Sequence, residues 1–209
     1  MEFAKLYLIA LIITVLPFVI YILRKSNHSN DLTVLERNYY QKMVNTKKEY
    51  RDLVELGSCQ SAAERFKLII SVVPDSELKS YDSLLRPTEI TDMNGEIWCK
   101  MHYSDNYGAN FRCYHEIVHY IEDVGIGKPV TEIYAKDHTG ETRSHREQIR
   151  NFIAAAVAIP EQSLIEKLNG YKGDVYDVLN DIVFLSKLQD DYKMPLETVK
   201  RRITEVCFQ

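Results

Sequence analysis

Tyr114-His115-Glu116-Ile117-Val118-His119-Tyr120 is the stretch on which the reading of this 209-residue chain turns. The pattern from 109 to 123 predicts a helix, and on a helix residues i and i+4 share a face. Two neutral imidazoles one turn apart can therefore reach a single zinc ion at about 2.0–2.1 Å. Glu116, rotated by about 100° from His115, borders the place where a water on the metal would sit, which is the station of a general base. A catalytic zinc takes three protein ligands and keeps a fourth position open, so one more ligand must arrive from another direction. Glu122 lies roughly 4.5 Å further along the axis from His119 and would close a tetrahedron poorly. It also stands where the longer HExxHxxGxxH pattern needs Gly, and Gly125 stands where that pattern needs its last His, which excludes the longer arrangement. Glu132, Asp137, Glu141 and Glu147 remain as acids that could complete the site.

Of these, Glu147 falls on a following helix, Glu147-Gln148-Ile149-Arg150-Asn151-Phe152-Ile153-Ala154-Ala155-Ala156-Val157-Ala158-Ile159-Pro160, whose triple alanine permits close approach. The HExxH helix, this E-x-x-x-N-x-x-A-A-A-x-x-x-P stretch beginning 28 residues after His119, and the C-terminal Tyr192-Lys193-Met194-Pro195-Leu196-Glu197-Thr198-Val199-Lys200-Arg201-Arg202-Ile203 together resemble the ImmA/IrrE family of zinc metallopeptidases, over about residues 95–209. The resemblance implies that His115, His119 and Glu147 hold Zn2+ and that Glu116 activates water. It also implies a substrate class, because the known substrates of that family are mostly helix-turn-helix transcriptional repressors, cleaved under stress or in mobile elements. Tyr114 and Val118 depart from the family, which often has Ala and Gly there, and a bulkier wall near the metal is expected.

Three further residues are candidates for supporting roles. Asn151, one turn after Glu147, is placed to orient its carboxylate from behind. His138 and His145 fall in the polar segment between the two metal-bearing helices and are candidates for stabilising the oxyanion of a tetrahedral intermediate. Lys200-Arg201-Arg202 reads as a solvated helix face, and with an acidic body no direct nucleic-acid binding is expected. The formal net charge is −4; Glu2 against Lys5, Arg24 and Lys25 leaves +2 on the first 25 residues and −6 on the rest.

Outward from the motif the chain divides into three parts. Leu6–Leu23 is an uncharged run of 18 residues, long enough as a helix of roughly 27 Å to cross a bilayer, with Pro17 as a kink. Arg24-Lys25-Ser26 directly after it fits a cleavage site poorly, so residues 1–25 are expected as a permanent single-pass anchor. Arg24, Lys25, Arg37 and Lys42 on its far side favour a cytoplasmic body. Residues 26–95 are expected as a helical stalk or subdomain with a linker: one long helix from Asp31 to Leu56 stopped by Gly57, a short helix over 61–71, and a loop over 75–95. Residues 96–209 form the third part, a strand over 96–102 in a hairpin or at an edge, then helices over 109–123, 145–158, 161–168, 174–190 and 195–206. The fold class is α+β and mostly α, a helical metallopeptidase domain with a small β-sheet. Cys59, Cys99, Cys113 and Cys207 show neither CxxC spacing nor a disulfide framework and are expected as thiols.

The function expected from these residues is a membrane-anchored zinc endopeptidase that cleaves a protein partner, a helix-turn-helix repressor being the candidate. The alternative is a catalytically silent module that keeps the fold and zinc and tethers a regulator at the membrane. Arg112, Glu122 and Asp123 make the motif's surroundings too polar for a site inside the bilayer.

Overall fold

Thr33 caps the first described helix: Glu36 N donates to its hydroxyl at 3.3 Å, while its own N–H donates to the Glu36 carboxylate at 2.8 Å. This reciprocal pair satisfies two amide donors that would otherwise lack partners. The computed structural model describes residues 32–78, 82–90, 94–100, 106–131 and 145–207. Helix α1 (Val34–Thr46) is followed by α2 (Lys48–Leu56) and α3 (Cys59–Arg65). The single long helix expected up to Leu56 is thus two. Thr46 donates its hydroxyl back to the Lys42 carbonyl at 2.8 Å, and Lys47 adopts an extended backbone (φ −69°, ψ 130°) that breaks the ladder. Gly57 ends α2 as expected, in the left-handed conformation (φ 67°).

The short helix expected to reach residue 71 stops at Arg65, and strand β1 (Ile69–Val73) takes over. Ile69-Ile70-Ser71-Val72-Val73 is dominated by β-branched residues, whose stiff side chains favour a pleated surface. The segment expected as a loop holds a one-turn helix α4 (Asp75–Leu78) and strand β2 (Ser83–Arg86). Strand β3 (Glu96–Lys100) is central rather than at an edge, for the sheet order is β1-β3-β2, with β1 parallel and β2 antiparallel to β3. In register, Leu85 faces Ile97 and Ser83 faces Cys99.

Helix α5 (Asn106–His119) runs on into a π turn (Tyr120–Val124), closed by Gly125 N donating to the Tyr120 carbonyl at 2.8 Å. Helix α6 (His145–Ala158) packs directly on α5, with Ala154 and Ala156 fully buried. Then come α7 (Glu161–Asn169), α8 (Val175–Val178), α9 (Ile182–Tyr192) and α10 (Leu196–Cys207). The helix expected over 174–190 is divided because Asp181 accepts from Phe184 N and starts α9 afresh.

One hydrophobic cluster joins most of this, and Val73, Leu78 and Leu84 form a second, small one with Trp98 packed against it. Leu32, Val44, Tyr50, Leu53 and Phe66, from the stretch expected as a stalk, are buried in the same cluster as Ile117, Ile153 and Ile203. The four thiols are free, three of them buried. The expectation of a single-pass membrane protein is corrected: among the described residues no helix is long and apolar enough to cross a membrane. Residues 6–23, on which that expectation rested, lie outside the described residues.

Candidate metal centre

Helix α5 presents His115 and His119 on one face, and α6, lying against it, presents Glu147 from its first turn, where the helix dipole favours a carboxylate. The three side chains converge. His115 Nε2 lies 3.1 Å from His119 Nε2 and 3.1 Å from Glu147 Oε2, and His119 Nε2 lies 3.4 Å from Glu147 Oε1. A tetrahedral zinc with ligand bonds of about 2.0–2.1 Å separates neighbouring ligand atoms by about 3.3 Å. The donors of this trio, two imidazole nitrogens and a carboxylate, are thus spaced to within a few tenths of an ångström as that ion requires. All three residues are buried, with exposures of 6%, 1% and 4%. Among the described residues this is the trio whose ligand atoms gather in this way.

Lone pairs that converge in a buried space need a cation or a proton among them, and the electrostatics follow from that. Burial alone would push the His119 imidazole down, but hydrogen bonds to Asp123 and Glu147 outweigh it and lift it to about 9. Burial would raise Glu147, yet the hydrogen bonds from His115 and His119 hold its carboxyl far below the usual range. Asp123 is likewise lowered: burial is overcome by His119 and by the Arg150 guanidinium.

A ring of residues backs the trio. His119 Nδ1 is 2.9 Å from Asp123 Oδ2, so a proton on Nδ1 leaves the Nε2 lone pair aimed at the cluster. Arg150 donates from Nη2 to both oxygens of Asp123 at 2.9 Å and from Nη1 to Glu147 Oε1. Arg146 adds a more exposed contact to Asp123 at 3.2 Å. Glu116, fully buried, is fastened to the sheet: Ser83 donates its hydroxyl to Oε1 at 2.6 Å and Leu85 donates its N–H to Oε2 at 3.1 Å.

The other sequence candidates lie elsewhere. His138, together with Glu132, Asp137 and Glu141, is outside the described residues. His145 points to the surface, where its Nε2 is 2.8 Å from Glu36 Oε1, and it is not gathered with the trio. The side chain that reaches the Glu147 carboxylate from the next turn is Arg150 rather than Asn151. Tyr114 and Val118, expected as a wall beside the metal, belong to the hydrophobic cluster, Tyr114 near Cys59 and Cys113. Sequence reasoning missed Asp123 and Arg150, although their i+4 and i+3 spacings from His119 and Glu147 were signals of the same kind as the motif itself. Ser83 carried no such signal, since only the sheet brings it to Glu116.

The family model for the IrrE N-terminal-like domain, Peptidase_M78, matches residues 75–204. No curated protein and no solved structure matches the chain.

Proposed function

From the premise that this chain belongs to the IrrE N-terminal-like domain family (Peptidase_M78), we propose that it is a zinc-dependent endopeptidase acting on a protein partner. The observation that carries this reading is the tetrahedral spacing of His115, His119 and Glu147, with Glu116 next in sequence to the first of them. When bound there, zinc supplies Lewis acidity that polarises the scissile carbonyl and brings the pKa of a water to about 7. Glu116 takes the proton from the attacking water and passes it to the leaving amine. Ser83 and the Leu85 N–H fix the direction in which its carboxylate faces, and Asp123 holds the tautomer of His119.

The substrate class that fits is a helix-turn-helix transcriptional repressor. Two things support it: the likeness of the three sequence segments to a family with such substrates, and the charge of −6 on residues 26–209, which suits a basic partner. The test is Glu116→Gln, incubated with a co-encoded repressor alongside the unaltered protein. Cleavage should fall by about a hundredfold to ten-thousandfold while zinc stays stoichiometric, because no ligand is touched. Undiminished turnover in that variant would remove the mechanism.

A second reading is favoured by one observation, the engagement of both Glu116 oxygens by β2. In it the domain keeps zinc and captures a regulatory protein without hydrolysing it. Stoichiometric zinc and complex formation with no cleavage by the unaltered protein would select it.

A further inference from the structure

Arg150 is the side chain through which the metal trio meets the rest of the fold. It is 1% exposed and lies among three carboxylates: Glu147, Asp123 and, at 3.8 Å from its Nε, Glu122. A buried guanidinium settles where its carboxylates hold it, so what fixes those carboxylates fixes how hard it pulls on Glu147. Asp123 is held by His119 from the trio itself. Glu122 is held from outside: its Oε1 accepts the Tyr50 hydroxyl at 3.0 Å, across 72 residues of sequence. Tyr50 lies on α2, before the family-matched residues 75–204, and its ring is fully buried. Burial, and after it the Glu122 charge, push its phenol upward, so it stays a donor at neutral pH.

We propose that Tyr50 is a positioning residue for the metal centre, acting through Glu122 and Arg150 on the Glu147 carboxylate. The inference rests on the metal-binding reading above and deepens it. The Tyr50 hydroxyl turns Glu122, whose side chain is 26% exposed, so that its other oxygen faces Arg150. Without that hydroxyl Glu122 turns toward solvent. Arg150 then has one counter-charge fewer and draws more strongly on the Glu147 oxygen that would otherwise face the ion. A helix outside the family-matched segment is in this way part of the metal centre.

The test is Tyr50→Phe in the full chain, which keeps the ring and removes only the hydroxyl. Zinc affinity is measured by chelator competition, and the cobalt(II)-loaded protein supplies a d–d absorption spectrum. Changes in groups behind a metal ligand typically cost 10- to 100-fold in affinity, and Tyr50 is one step further out, so a loss of about threefold to tenfold with a shifted cobalt spectrum is expected. Glu122→Gln should do the same, and the double variant should be no worse than either single one. Tyr192→Phe, which removes a hydroxyl bonded to Ser163, serves as the control and should leave both readouts unchanged. Lowered melting temperature with unaltered zinc affinity and cobalt spectrum in Tyr50→Phe would reduce Tyr50 to a packing residue and overturn the proposal. Failure of the unaltered protein to bind either metal would instead overturn the metal-binding reading beneath it.

Discussion

Asp123 carries more of the candidate metal centre than its place outside the pentapeptide suggests. It faces the ring nitrogen of His119 that points away from the cluster and accepts from Arg150 Nη2 at both of its oxygens, so one carboxylate orients a ligand and restrains the cation touching another. Asp123→Asn keeps the shape, halves the acceptor capacity and removes the charge. Zinc affinity should fall by about 10- to 100-fold in chelator competition, with the fold retained by circular dichroism. Arg146 touches the same carboxylate but is 72% exposed in its side chain, and surface ion pairs contribute little. Arg146→Ala should therefore change zinc affinity by less than about twofold. Equal losses in the two variants would mean that the exposed Arg146 contact holds the Asp123 carboxylate in place as firmly as its buried partners do.

Elements whose signals are local were legible in the sequence, and those whose signals are distant were not. Helix α6 spans 145–158 as expected, because its apolar period, its alanines and the closing Pro160 all lie within the segment. Strand β2 and the central place of β3 depend on partners far along the chain. Four residues between Asp82 and Pro87 give no period to read, and β2 exists because β3 and Glu116 satisfy its backbone. The site divides in the same way: His115, His119, Glu116 and Glu147 were legible from spacing and resemblance, whereas Ser83 and Tyr50 reach it only through the tertiary fold. Gly57 is a local signal that can be tested alone. Its φ is +67°, and an added Cβ would meet nothing within 4 Å, so Gly57→Ala carries conformational strain without a clash. A loss of about 1–2 kcal/mol is expected from the shift of the urea midpoint at constant m. No shift would mean that the α2–α3 corner relaxes to another backbone.

At the scale of the whole molecule, the family match and the hydrophobic core have different limits. The match begins at residue 75, but Leu32, Val44, Tyr50, Leu53, Phe66 and Leu68 are buried in the cluster that packs behind the metal helices. Each such side chain contributes about 1.5–3 kcal/mol by leaving water, so together they supply on the order of 10 kcal/mol. Whole domains are stable by only about 5–15 kcal/mol, which makes that contribution comparable with everything the fold has to spare. Strand β1 would be lost as well, leaving β3 unpaired along one side. A fragment of residues 75–207 is therefore expected to lack a cooperative thermal transition, to elute as aggregates in size-exclusion chromatography, and to bind zinc weakly and without the cobalt spectrum of the full chain. Residues 32–207 should melt cooperatively, elute without aggregates and bind zinc with the cobalt spectrum of the full chain. A cooperative melt with stoichiometric zinc in the shorter fragment would show that the helices before β1 lie on the domain without holding it together, and the route from Tyr50 to Glu147 would then lose its physical basis.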